Sequence, residues 1–244
     1  MDISKNDFIE ELWRVFRLNG LDGMLNDDKA DKLYRLTEIM LTENEKYNLT
    51  AITDPDKIIL CHYADCAAMA ALPNKGARVA DVGCGAGFPT LPMAILREDL
   101  AVTGIDSTAK RIAYVNATAA ELGLANVTAI ATRAEEGARR PELREQFDVV
   151  TARAVAEMRI LCELCLPFVR VGGRFIAMKG RNADAEMADA KQAITSLGGR
   201  VEEHRTLTLV GKETLDHPLI TVTKRNRTPD QYPRPYAKIL KKPL

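Results

Sequence analysis

The sequence predicts an α/β protein: a doubly wound, mostly parallel sheet of seven strands with a helical N-terminal extension. From Ala77 onward, short β-rich runs alternate with helical stretches, a pattern that needs parallel strands, right-handed crossovers and helices on both faces. The first run ends in a cluster of glycines and the second in an acidic residue, the two places where open α/β sheets hold ligands. Before residue 73 the apolar residues recur at helical spacing, and nothing alternates strongly enough to be a strand. A chain of 244 residues, 46% hydrophobic and 28% charged, suits one such domain with an appendage. The expected division is a helical extension over 1–72 and a Rossmann-like domain with a basic tail over 73–244.

Phe8, Leu12 and Phe16 form one helical stripe, and Leu33, Leu36 and Met40 a second. The loop from Tyr47 to Thr53 breaks the pattern. Asp54 then offers an N-cap and Pro55 fits the first helical position. Strand candidates follow at 78–82, 100–105, 127–131, 147–151 and 174–178, and 201–210 with 219–224 read as a closing pair. Ile112, Val115, Ala119 and Leu122 make a helical stripe that Gly123 terminates as a C-cap.

Several classes are excluded. The longest apolar stretch, 66–72, is far short of the ~20 residues that span a bilayer. Charges at Asp2, Lys5, Asp7, Glu10 and Glu11 interrupt any secretory core. With no export signal and an odd number of cysteines (5), reduced thiols and a cytoplasmic location are expected. His62, His204 and His217 show no ligand spacing, so no metal is expected. The net charge is zero, yet residues 1–72 carry 8 Lys and Arg against 14 Asp and Glu, whereas residues 224–244 carry 7 basic residues against Asp230 alone. That polarity suits a polyanionic partner met at one end of the molecule, or a solubilising tail.

The strongest chemical signal is Val79-Ala80-Asp81-Val82-Gly83-Cys84-Gly85-Ala86-Gly87-Phe88-Pro89, a strand end entering a helix. Glycines there let the backbone turn tightly and a ligand approach without meeting a Cβ. Asp106, about twenty residues on, is placed to accept both hydroxyls of a ribose. A dinucleotide fingerprint needs a small third residue where Phe88 stands, and the glycines run as G-x-G-x-G. Asp81, two residues before the first glycine, fits S-adenosylmethionine better, because that ligand carries an ammonium and a sulfonium but no pyrophosphate.

With these blocks in view, the chain resembles the bacterial small-subunit ribosomal RNA guanine-N7 methyltransferases. The likeness rests on Asn48-Leu49-Thr50-Ala51-Ile52, on His62 with Asp65, on the glycine turn, on Asp106-Ser107 with Lys110-Arg111, and on Arg133-Ala134-Glu135. It continues in Arg153-Ala154-Val155-Ala156, Lys179-Gly180, Tyr232-Pro233-Arg234 and Lys242-Pro243-Leu244. Cys66, Pro235 and Ala237 depart from the family's serine, basic residue and glycine. The resemblance implies methyl transfer from S-adenosylmethionine to N7 of one guanine in 16S rRNA, with the RNA or the small ribosomal subunit as partner. It also places Gly83, Phe88, Ala134, Glu135 and Arg153 around the cofactor, beside Asp81, Gly85, Gly87 and Asp106 from the motif itself. A small-molecule methyltransferase on the same fold is the alternative, and it has no need of the basic tail.

N7 of guanine carries a lone pair and no proton, so no general base and no catalytic residue is expected; positioning suffices. The D/N-P-P-Y/F signature of exocyclic amine methylation is absent at Thr151-Ala152-Arg153-Ala154-Val155. Cys162 and Cys165, at near-helical spacing in an apolar stretch, read as core, and Cys84 as a small filler in the turn. Arg153 is expected to face the cofactor carboxylate or an RNA phosphate, since a guanidinium near the methyl group opposes the developing cation. His62 and Asp65, at i and i+3, are expected to pair with each other or to face the substrate entrance with Asn48. Candidate RNA contacts are Asn48, His62, Lys179, Arg181, Arg234, Lys241 and Lys242, and residues 230–244 are expected to serve RNA while leaving cofactor binding largely intact.

Overall fold

A computed structural model describes residues 3–180 and 182–244. Helix α1 (Lys5–Leu18) buries Phe8, Leu12 and Phe16 as their spacing predicts, and Ser4 caps it by accepting the Asp7 N–H. Helix α2 (Asp27–Tyr47) buries Leu33, Leu36 and Met40 and ends on Asn48 in the left-handed conformation. Asp54 Oδ1 accepts the Lys57 N–H and Pro55 opens α3 (Pro55–Ile58), as expected. The next turn departs from an ordinary helix: Ile59–Ala64 winds as a π-helix and leads directly into α4 (Asp65–Ala70). Such wide turns are uncommon and cluster at functional sites.

The sheet has seven strands in the order β3-β2-β1-β4-β5-β7-β6. They are β1 (Arg78–Val82), β2 (Ala101–Asp106), β3 (Val127–Ala131), β4 (Phe147–Arg153), β5 (Val169–Met178), β6 (Gly199–Val210) and β7 (Thr214–Lys224). Strands β1 to β5 run parallel, and β7 is antiparallel to both β5 and β6. All seven predicted runs are strands. β5 and β7 begin five residues earlier than their apolar stretches, because 170–172 of β5 and 214–218 of β7 are exposed or half-exposed and lack the continuous apolar signal of a buried strand. The crossovers are α5 (Thr90–Leu96), α6 (Ala109–Glu121), α7 (Ala134–Gly137), α8 (Met158–Cys165), α9 (Ala183–Asp189) and α10 (Lys191–Ser196), and α11 (Tyr236–Lys241) closes the chain. Gly123, with a φ of +66°, ends the α6 segment as a C-cap residue should.

The extension does not stand apart from the sheet. One buried cluster joins Phe8, Leu12, Leu33, Met40 and Tyr63 to Leu91 and Ile95 of α5 and Val115 of α6. The far end of the β6–β7 hairpin closes on the same helices: the Asn19 amide both donates to Val210 O and accepts the Val210 N–H. Opposite, α8 and α10 cover the other face, with Ile239 of α11 fully buried among them. Among the described residues, no helix is long and apolar enough to cross a membrane.

Candidate active site

From β1 the chain builds outward through β2 and β3 on one side and through β4 and β5 on the other, so the sheet reverses its order between β1 and β4. Ligands of doubly wound sheets bind at that switch point, beyond the carboxyl ends of the strands. A cavity of about 220 Å³ opens there, lined among others by Gly83, Asp106, Glu135, Val155, Leu164 and Tyr236. Gly83 has a φ of +77°, and a Cβ on it would lie 2.5 Å from Val155 Cγ2, so both conformation and space demand glycine. Gly87, with a φ of +85°, lets α5 begin against Leu91.

Asp106 lies where the sequence places it and lines the cavity. Its Oδ2 accepts the Gly85 N–H at 3.1 Å and its Oδ1 the Thr108 N–H at 2.8 Å, which fixes the carboxylate while each oxygen keeps a second lone pair for a hydroxyl. Ala134 and Glu135 also line the cavity, and Arg133 Nε donates to Glu135 Oε1 at 3.1 Å. Ser107, Thr108 and Arg111 complete this side.

The other predicted cofactor residues lie elsewhere. Asp81 sits beneath the turn, buried, and takes hydrogen bonds from Thr90 Oγ1 at 2.7 Å and Thr151 Oγ1 at 3.2 Å. Burial pushes its carboxyl up to about 6. It ties β1, β4 and the start of α5 together from beneath the turn. Gly85 and Gly87 shape the turn from outside the cavity lining. Phe88 faces the extension and stacks on His62, with ring centroids 4.3 Å apart.

Arg153 turns the same way. Its Nη1 donates to Cys61 O at 3.0 Å and to Asp65 Oδ2 at 3.2 Å, its Nη2 donates to His62 Nδ1 at 3.3 Å, and its guanidinium lies 5.8 Å from the centre of the Phe88 ring. An arginine only donates, so Nδ1 is the acceptor and the His62 Nε2–H donates to Thr50 Oγ1 at 3.2 Å. Burial first, and the Arg153 charge second, lower His62 to about 3, which keeps the ring neutral. His62 and Asp65 therefore do not pair with each other as their spacing suggests; each meets Arg153. Asp65 is shared further with His217 Nδ1, at 2.9 Å. The π-helical stretch leads directly into Asp65, so His62 and Asp65 reach one guanidinium from adjoining helical turns.

Of the predicted RNA contacts, Asn48 is exposed at the end of α2, while His62 is buried in the cluster just described. Lys179 is almost fully covered: its Nζ donates to Ala156 O at 2.7 Å and meets Glu186 Oε2 at 2.6 Å. Arg234 grips the fully buried Glu163 through Nε and Nη2, at 2.9 and 2.6 Å. Neither presents a spare cation to a phosphate, because each balances an acid inside the fold. Lys241 and Lys242 are exposed on α11. Arg181 lies outside the described residues.

Val155 and Tyr236 are among the cavity walls that the sequence reading did not place there. Val155 belongs to the loop after β4, where Ala154 takes a φ of +55°. Tyr236 comes from the C-terminal tail, more than seventy residues along the chain from every other wall, and only the topology brings it there. The tail thus lines the cavity through Tyr236 as well as carrying charge. Cys162 and Cys165 are buried, as expected for core thiols, and burial pushes both far up.

A family model described as rRNA small subunit methyltransferase G matches residues 29–214. Ribosomal RNA small subunit methyltransferase G of Clostridium perfringens (strain 13 / Type A) is 47% identical over 221 residues, 90% of this chain and 92% of its own. The protein of that name from an Exiguobacterium species is 43% identical over 244 residues, 99% of this chain and 100% of its own. The fold is shared with a SAM-dependent O-methyltransferase of Thermotoga maritima (TM-score 0.51, 18% identity, 77% of this chain and 72% of that one). It is also shared with M. jannaschii TYW2, solved in complex with AdoMet (TM-score 0.53, 17% identity, 67% of this chain and 75% of that one). On the span of the family model and the identity to these relatives, the chain belongs to the rRNA small subunit methyltransferase G family.

Proposed function

We propose that the protein transfers a methyl group from S-adenosylmethionine to N7 of one guanine in 16S rRNA, acting in the cytoplasm on the RNA or the small ribosomal subunit. The observation that carries this reading is the cavity at the switch point, in a chain of this family, with a fixed carboxylate at the end of β2 and a lining of mixed apolar and polar side chains. S-adenosylmethionine supplies, when bound, a methyl group on a sulfonium. The residues present fit it: Gly83 offers bare backbone, Asp106 has lone pairs for ribose hydroxyls, and Ala134 and Glu135 flank the remaining space. Val155, Leu164 and Tyr236 add apolar surface to the lining.

N7 has no proton to lose, so the chain's task is to hold the acceptor in line. Orientation of that kind can supply ~7–11 kcal/mol. A transfer to such an atom needs no nucleophile and no imidazole base. The Arg153 charge, balanced by Asp65 and aimed at the extension, is kept away from a cation growing on the guanine. Mass-spectrometric mapping of 16S rRNA from cells with and without the gene tests this. One N7-methylguanosine is lost with the gene and restored by purified protein with S-adenosylmethionine; an identical methylation map in both strains overturns the reading.

A further inference from the structure

The C-terminal segment is held down far more firmly than a solubilising tail requires. Lys224, fully buried at the end of β7, donates to Leu166 O at 2.7 Å and Thr228 Oγ1 at 2.6 Å, and lies 3.3 Å from Glu145. Arg144 Nη1 donates to Tyr232 O at 2.9 Å, and Arg139 Nη2 to Pro233 O at 2.7 Å. Arg234 holds Glu163 of α8, and Ile239 is fully buried. Each of these contacts serves to fix the start of α11, and the residue placed there is Tyr236, half-buried and facing the cavity.

The Arg133 guanidinium lies 5.3 Å from the centre of the Tyr236 ring, and its charge is met by Glu135 at 3.1 Å. Tyr236, Leu164 and Ala134 line the cavity together, and the Arg133 charge beside them is balanced by Glu135. An aromatic wall of this kind offers a planar base a stacking face. Asp106, which suits ribose hydroxyls, lines the same cavity.

We propose that Tyr236 is a cofactor-binding residue: the C-terminal segment completes the cavity by laying the Tyr236 ring along the compartment that takes the adenine. This rests on the reading that the cavity takes S-adenosylmethionine. It makes the tail a cofactor-binding element as well as a carrier of exposed cations.

Calorimetric titration of S-adenosylhomocysteine and of adenosine into wild type, Tyr236→Phe and Tyr236→Ala tests it. Removing an aromatic face that stacks on a base weakens binding by about ten-fold or more, while Phe keeps most of the affinity. The loss is of equal size for adenosine, which lacks the amino-acid end. Affinity of Tyr236→Ala within two-fold of wild type overturns the proposal, as does a loss confined to S-adenosylhomocysteine. Amide exchange of the unmutated chain gives a readout independent of whether the variant folds: saturating S-adenosylhomocysteine slows exchange over 236–241, and unchanged exchange there also overturns it. If wild type itself binds neither ligand, it is the assignment of the cavity to S-adenosylmethionine that fails.

Discussion

Two buried groups at the carboxyl end of the sheet titrate in opposite senses. His62 is held neutral, lowered from an ordinary 6.5 to about 3 by burial and by the Arg153 charge. As pH falls from 6.5 towards 3, the unfolded chain takes up a proton at His62 that the folded chain refuses, so stability is lost on acidification, by up to about 5 kcal/mol over the full range. Asp81 runs the other way. Its folded carboxyl stands at about 6 against an ordinary 3.8, so the folded chain binds the proton more tightly, and stability is lost as pH rises from 3.8 through 6, by up to about 3 kcal/mol. Urea unfolding between pH 5 and pH 8 separates the two. Relative to wild type, Asp81→Asn gains stability as pH rises through 6. In NMR titration, the ring shifts of His62 stay flat from pH 8 to pH 5, and a midpoint near 6.5 would show that Arg153 and burial do not govern the imidazole.

The glycine turn between β1 and α5 works as an element because three conditions coincide in it. Gly83 needs a positive φ, its α-hydrogen faces Val155 across a gap too small for a methyl group, and its N–H is committed to Ile105 O at 2.7 Å. A Gly83→Ala substitution meets both the steric and the conformational penalty, whereas Gly83→Ala with Val155→Ala meets only the conformational one. The single variant is expected to lose about 2–4 kcal/mol of stability and the pair about 1–2, from the cost of left-handed backbone and of a forced contact. Cofactor affinity falls in both variants, since Val155 is itself a wall. Chemical denaturation of the two proteins side by side measures the difference. Equal losses would show that Val155 yields without cost and that backbone conformation alone fixes the glycine.

At the scale of the whole molecule, what the sequence made legible was whatever is local. The seven strands, the helix caps at Asp54 and Gly123, the glycine turn and Asp106 at the end of β2 all announce themselves within a few residues, because turn geometry and alternation are short-range constraints. Asp65 meeting Arg153 and His217, Arg234 meeting Glu163, and Tyr236 entering the cavity are pairings between segments far apart in the chain, and no spacing rule encodes them. The same long-range pairing alters what the basic tail offers a partner. Of its cations, Lys224 and Arg227 meet Glu145 and Arg234 meets Glu163, while Lys238, Lys241 and Lys242 lie exposed on α11 with no ion-pair partner among the described residues. Neutralising Lys224 or Arg234 is therefore expected to act through folding, whereas these three lysines, with the exposed Arg225, are the tail cations expected to act through a phosphate. Replacing Lys238, Lys241 and Lys242 together by Ala is expected to leave the melting temperature of the free protein unchanged and to weaken binding to 16S rRNA. It also flattens the slope of log affinity against log salt by about 2, since each phosphate contact on a single strand contributes about 0.7 to that slope. Filter binding between ~50 and ~200 mM salt, the range in which counterion release dominates, reads that slope directly. A slope equal to that of wild type would move the RNA-facing charge away from α11 altogether.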